Sequence, residues 1–220
     1  DTISVQIIMS QIKKNFIYNV LLTLSSYIIN IFIFPYVSRV LGVELVGKIG
    51  FVNNVISYFS LFAVMGIGTV GIREIAACGS DRLRRSKVFS DILSIALLMT
   101  TIVTIAYVLA LCLIPRFKDD YSLFIVGASN LFFTSLLIEW FYQGIENFRY
   151  ITVRSVIVKV IYALIVVLFI KSPEEYLLYF ILTASVIVIN ASINLLHSRN
   201  FVHLSLKNVK IKRYIKEYRQ

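Results

Sequence analysis

Charge is scarce in this chain, at 15% of 220 residues, and so are the residues that build catalytic or metal centres: two histidines and two cysteines. Two cysteines far apart, Cys78 and Cys112, do not make a disulfide framework. A zinc site needs clustered Cys and His, and His197 and His203 have no acidic or thiol company. His197, alone at the end of an apolar segment, reads as a solvated residue. No glycine loop followed by Lys and Ser/Thr is present, which excludes a P-loop; Gly66, Gly68 and Gly71 instead suit close helix packing or bending. No metal or cofactor is expected, and no catalytic constellation is evident. Prolines number only three and glycines nine, too few for a chain rich in turns.

What is there is apolar. Hydrophobic residues make up 58% of the sequence, beyond the usual mix of a water-soluble domain. About 20 apolar residues are needed for a helix to cross roughly 30 Å of hydrocarbon. Six continuous stretches approach that length, at residues 16–34, 49–70, 88–114, 121–141, 153–170 and 176–196. They lack the strict alternation of a barrel strand. The expected fold class is therefore an all-α integral membrane protein, a bundle of six transmembrane helices over residues 1–198, followed by a basic segment at 199–220.

A formal net charge of +10 would suit nucleic acid if it were gathered on one polar face. Here the cations lie at the ends of the apolar stretches, so nucleic acid is not the expected partner and membrane lipid is. With the N-terminus in the cytoplasm, seventeen Lys and Arg fall in cytoplasmic segments and five in outer ones, alternating at each crossing. Both ends of the chain are then cytoplasmic. The tail from Arg199, which mixes seven basic residues with apolar ones, is expected to lie on the inner leaflet or to lead into further sequence. The first residue is Asp1, not Met, which suggests a fragment.

Polar residues within the spans recur at helical spacing and give each helix one wettable face. Asn19, Thr23, Ser26 and Asn30 align on the first helix; Asn53, Ser57 and Ser60 on the second; Ser90, Ser94, Thr101 and Thr104 on the third. Ser155, Lys159 and Tyr162 follow on the fifth, and Thr183, Asn190, Asn194 and His197 on the sixth. Hydroxyls let membrane helices pack closely without further purpose. An amide or a charge in hydrocarbon costs more, so Asn30, Asn53, Asn54, Asn190 and Asn194 are candidates for lining a wet pathway. Glu139, near the end of the fourth stretch, reads as an ion-pair partner of Arg149 or Arg154, or as a gate. Arg154 and Lys159 enter the fifth helix about 140° apart, with Lys159 the better inward candidate.

Three strings carry a resemblance. Phe34-Pro35-Tyr36-Val37-Ser38-Arg39-Val40-Leu41-Gly42, with Gly47 and Gly50, resembles the exit of the first helix in bacterial polysaccharide-export flippases. Gly66-Ile67-Gly68 with Gly71-Ile72-Arg73-Glu74-Ile75-Ala76 resembles the end of their second helix. The run from Glu139 to Glu146, continuing from Phe148 through Arg154 and Ser155 to Lys159, is similar to their fourth-to-fifth helix junction. That family belongs to the superfamily of multidrug, oligosaccharidyl-lipid and polysaccharide flippases. The resemblance implies one lobe of a two-lobe fold in the bacterial inner membrane. It also implies movement of an undecaprenyl-pyrophosphate-linked oligosaccharide to the outer leaflet, for O-antigen in lipopolysaccharide or for capsule. Arg39, Arg73, Arg154 and Lys159 are carried over as headgroup candidates, with Glu139 as gate or ion-pair candidate. Implied partners are the lipid-linked oligosaccharide, a second six-helix lobe or a second copy, and polysaccharide polymerase machinery. Alternatives are a Na⁺- or H⁺-coupled multidrug exporter, a non-transporting assembly subunit, and a lipid-linked-sugar polymerase.

Overall fold

The computed structural model of the chain describes residues 2–203, with side chains from Met9 onward. Every regular element among them is helical. Eight α-helices follow in order: α1 (Thr2–Leu41), α2 (Val43–Ala63), α3 (Ile67–Ala76), α4 (Arg82–Leu113), α5 (Tyr121–Thr134), α6 (Glu139–Gly144), α7 (Phe148–Phe169) and α8 (Tyr176–Ser198). Six stretches are long and apolar enough to cross a membrane: Met9–Leu41, Val43–Ala63, Arg82–Leu113, Tyr121–Gly144, Phe148–Phe169 and Pro173–Ser198. The chain is a multi-pass membrane protein. The basic tail expected at 199–220 falls outside the described residues from 204 onward.

Three spans differ from expectation in their course as well as their limits. The first does not end before Pro35 but continues through it to Leu41, since losing one backbone hydrogen bond and one donor does not stop a helix packed along neighbours. The chain turns at Gly42, whose φ of 83° is left-handed. The second expected span breaks into α2 and α3 at Gly66, again left-handed with φ 73°. The fourth breaks more sharply: after a 3₁₀ turn at Ser135–Leu137, Ile138 takes φ 42° and ψ 30°, and α6 starts afresh. A β-branched residue in that region costs about 1–3 kcal/mol and persists only where packing fixes it; Ile138 is buried.

Alternating spans leave one end of the bundle basic, with the α3–α4 and α6–α7 connections and the end of α8. Asp81 caps α4 there, its Oδ1 accepting from the N–H groups of Leu83 and Arg84, both at 3.0 Å. The Arg82 guanidinium donates to the Asn200 carbonyl at 3.2 Å, tying the start of α4 to the end of α8. α1 and α7 run parallel: Thr152 donates to the Tyr18 carbonyl at 2.9 Å near the basic end, and Tyr36 to that of Ile170 at 2.8 Å near the other.

Apolar packing divides between the two ends. One core gathers Val37, Val52, Tyr107, Phe124, Val166 and Phe180 away from the basic end. The other, at the basic end, gathers Ile75, Phe89, Ile138, Trp140, Phe141 and Tyr142. In the second, α3 and α6 touch almost backbone to backbone: a Cβ at Gly144 would meet the Cβ of Ile75 at 2.7 Å. The hydroxyls of Ser94 and Thr101 on α4 donate to carbonyls of their own helix, both at 2.7 Å, an arrangement membrane helices tolerate without a transport role.

Candidate functional site

The break at Ile138 decides where Glu139 goes. It starts α6, and its carboxylate meets Arg154 of α7, with Nη2 to Oε1 at 3.1 Å. Helix α7 begins at Phe148, five residues earlier than expected, which carries Arg154 about 9 Å and Lys159 about 16 Å into the bundle. Arg154 is only 7% exposed. Its Nη2 also donates to Ser155 Oγ at 2.9 Å and its Nη1 to the Asn190 carbonyl at 3.2 Å, while its guanidinium carbon lies 5.9 Å from the Tyr150 ring centre. The Glu139 side chain is 37% exposed and lines a pocket of about 280 Å³ together with Gly68, Ile72, Thr134, Trp140 and Gln143.

Lys159 lies a turn and a half beyond Arg154 and donates to Ser26 Oγ of α1. It is half-buried and held by a hydroxyl, while the charges of both Glu139 and Arg154 act on it. Two cations of α7 therefore lie near the Glu139 carboxylate, and Asp91, buried in α4, is a second carboxylate within the spans. Of the pair expected to split between snorkelling and inward directions, Arg154 is the more buried. The two remaining headgroup candidates lie elsewhere. Arg39 is exposed in the last turn of α1, at the end away from the basic one, and Arg73 is exposed and paired with Glu74 at 3.4 Å.

The asparagines separate in the same way. Asn30 and Asn54 are exposed and Asn53 is half-buried on α1 and α2. Asn190 and Asn194 are buried in α8, Asn194 completely. Asn194 Nδ2 donates to the Leu137 carbonyl freed by the break, and Asn190 Nδ2 to the Val186 carbonyl at 2.8 Å. Neither amide oxygen has a hydrogen-bond partner. Asn194 thus braces the broken fourth span.

A further cluster was not legible beforehand. Tyr142 donates to the Asn194 carbonyl at 2.7 Å, so its oxygen accepts from His197 Nδ1 at 3.2 Å, which fixes the proton on Nδ1. His197 stacks on Tyr150 with ring centres 3.9 Å apart and planes within 12°. It is a packed residue rather than a solvated one. The signal in the sequence was faint: two tyrosines eight residues apart around a turn, and a histidine at the end of the last span.

A family model described as Polysaccharide biosynthesis protein matches residues 12–218. The chain belongs to the polysaccharide biosynthesis protein family. Two curated relatives, from Shigella dysenteriae and Escherichia coli (strain K12), each carry the name "Putative O-antigen transporter". The first is 26% identical over 74% of this chain and 41% of its own length, the second 21% identical over 74% and 40%. The chain thus matches about two fifths of the length of these relatives. No solved structure matches it. Membership of the polysaccharide biosynthesis family accords with the resemblance carried by the three strings.

Proposed function

We propose that the full-length protein is a transporter, not an enzyme, and moves an undecaprenyl-pyrophosphate-linked oligosaccharide from the inner to the outer leaflet of the bacterial inner membrane, by alternating access between this lobe and a second one. The observation that carries this reading is the pair of cations on one helix, α7: Arg154, buried against Glu139, and Lys159, half-buried against the neutral Ser26 hydroxyl. A sugar chain and a pyrophosphate cannot enter hydrocarbon unaided, whereas a polyprenyl tail remains at ease there. Buried cations lower the cost for the anionic group.

Lys159, bonded to the neutral Ser26 hydroxyl, is the cation free to receive a phosphate. Arg154 is neutralised by Glu139 until an incoming anion competes for its guanidinium. Such competition would release Glu139, and with it one tie across the break at Ile138. Arrival of the headgroup would so be coupled to movement of α6. Both ends of this lobe are cytoplasmic in this reading, with the basic end at the inner leaflet. The names of the two relatives support export of O-antigen precursors over other cargo.

The test is flipping of fluorescent undecaprenyl-pyrophosphate oligosaccharides by the full-length protein in proteoliposomes. Flipping that is present in the wild type and falls with Lys159→Gln supports the reading. A well-folded protein that flips none of several lipid-linked sugars overturns it.

A further inference from the structure

Arg154 also borders a second hollow, which shares none of its lining with the pocket at Glu139. This groove, about 520 Å³, runs along α7 beside Ile193 of α8. Two neighbouring rows on α7 shape it, Arg149–Val153–Ile157 and Tyr150–Arg154, the first with its cation towards the basic end and apolar residues beyond. Val153, Ile157 and Ile193 are exposed on membrane-spanning stretches. Arg149 is exposed, while Arg154, buried and already paired with Glu139, adds its guanidinium to the inner wall. The groove is thus cationic where a span meets its interface and apolar beyond.

We propose that this groove holds a phospholipid with an anionic headgroup, such as phosphatidylglycerol, its phosphate against the exposed Arg149 and an acyl chain along Val153, Ile157 and Ile193. Charge complementarity selects the anionic class, because a zwitterionic headgroup sets a cation of its own against Arg149. The apolar wall distinguishes the occupant from a free phosphate, which has nothing to lay there. The lipid would bridge α7 and α8 where Arg154 already joins them through the Asn190 carbonyl. This is a resident lipid rather than cargo, and the inference stands whether or not the protein flips lipid-linked sugars.

Native mass spectrometry of the full-length protein, released from micelles with equal amounts of phosphatidylglycerol and phosphatidylcholine, tests it. Preferential retention of phosphatidylglycerol is expected, unaffected by added inorganic phosphate. Arg149→Gln should weaken that preference about fivefold, the worth of one interfacial cation. Ile157→Trp, which fills the apolar half, should abolish retention, with Val153→Trp as an independent block should the first variant misfold. Equal retention of the two lipids by the wild type, or an unchanged preference in Arg149→Gln and the tryptophan variants, overturns the proposal. So does a nitroxide at Ile157→Cys that is shielded from micelle-dissolved oxygen in lipid-stripped protein, since another part of the protein would then cover the groove.

Discussion

Gly71 and Trp140 meet so closely that a Cβ on the glycine would sit 2.5 Å from Cε3 of the indole. With the matching contact of Gly144 and Ile75, this joins the two half-helices that follow the broken second and fourth spans. Each break frees backbone groups within a membrane stretch, a cost membrane proteins accept where the backbone is buried in protein or faces a cavity. Here α3 and α6 pack on each other, so the two breaks delimit one paired unit at the basic end, with Glu139 at its hinge.

Filling the glycine side of that contact should loosen the unit. Gly71→Val forces the indole or the helix aside, and overpacking of this kind costs about 1–3 kcal/mol. The thermal unfolding midpoint of the purified full-length protein should fall. Trp140→Ala alone should also lower it, by removing ring contacts with Phe89 and Phe141, but the double variant should be more stable than the sum of the single losses. Strict additivity would mean that the two residues do not press on each other.

The pair at the hinge gives a second expectation. Removing one partner of a buried ion pair costs about 3–5 kcal/mol, and less here because Glu139 is partly exposed. Arg154 is the more buried partner, so Glu139→Gln, which strands the cation, should destabilise more than Arg154→Met. The double variant should recover part of the loss, as read by a double-mutant cycle on unfolding midpoints. A cycle with no coupling would show that the 3.1 Å contact contributes nothing to stability.

Much of the fold was legible because span length and the alternation of cations are properties of whole segments, and a segment averages over local irregularity. The breaks were not. Leu136-Leu137-Ile138-Glu139-Trp140 reads as continuous helix, and a left-handed isoleucine has no residue signature; packing in the second core and the Asn194 bond to the Leu137 carbonyl hold it there. Gly66 did carry a signal, read as bending, although the expected span ran past it. Pro35 misled in the opposite direction, as its penalty is small beside that of exposing helix ends in lipid. At the candidate site, residue type pointed to Glu139, Arg154 and Lys159, and to Asn190 and Asn194, with Asn30, Asn53 and Asn54, as residues lining a wet pathway. Helical spacing could not tell which partners the charged residues would find, since those come from other helices. Arg39 and Arg73, singled out by the resemblance, lie apart from the rest because position in a motif says nothing about depth.

Tyr142, near the end of the fourth span, offers a test of its tie to the sixth. Tyr142→Phe removes the donor to the Asn194 carbonyl and the acceptor for His197 Nδ1 while preserving the ring. Leaving buried polar groups without partners costs about 1–3 kcal/mol, so the variant should unfold at a lower temperature than wild type. Tyr107→Phe, which removes a single bond to the Phe124 carbonyl, should cost less. An unfolding midpoint for Tyr142→Phe equal to wild type would mean that water replaces the lost bonds.

Orientation can be read by thiol chemistry in intact cells. Asp119→Cys lies in the exposed connection between α4 and α5, and Ser80→Cys in the exposed connection between α3 and α4. In a Cys112→Ser background, which removes the exposed native thiol at the same end of α4, a membrane-impermeant maleimide should label Asp119→Cys from outside and Ser80→Cys only after permeabilisation; the reverse pattern would invert the topology. Cys78 serves as an internal comparison. It is buried, its thiol donates to the Glu74 carbonyl at 3.2 Å, and burial pushes its pKa up against the opposing pull of Arg84 and Arg85. The thiolate is the reactive form, so a raised pKa leaves less of it at neutral pH. After permeabilisation, Cys78 should therefore react more slowly than Ser80→Cys at pH 7, with its rate still climbing at a pH where that of the exposed thiol has levelled off. Equal rates at neutral pH would show that the turn after α3 opens and hydrates the thiol, and with it the base of the α3–α6 unit.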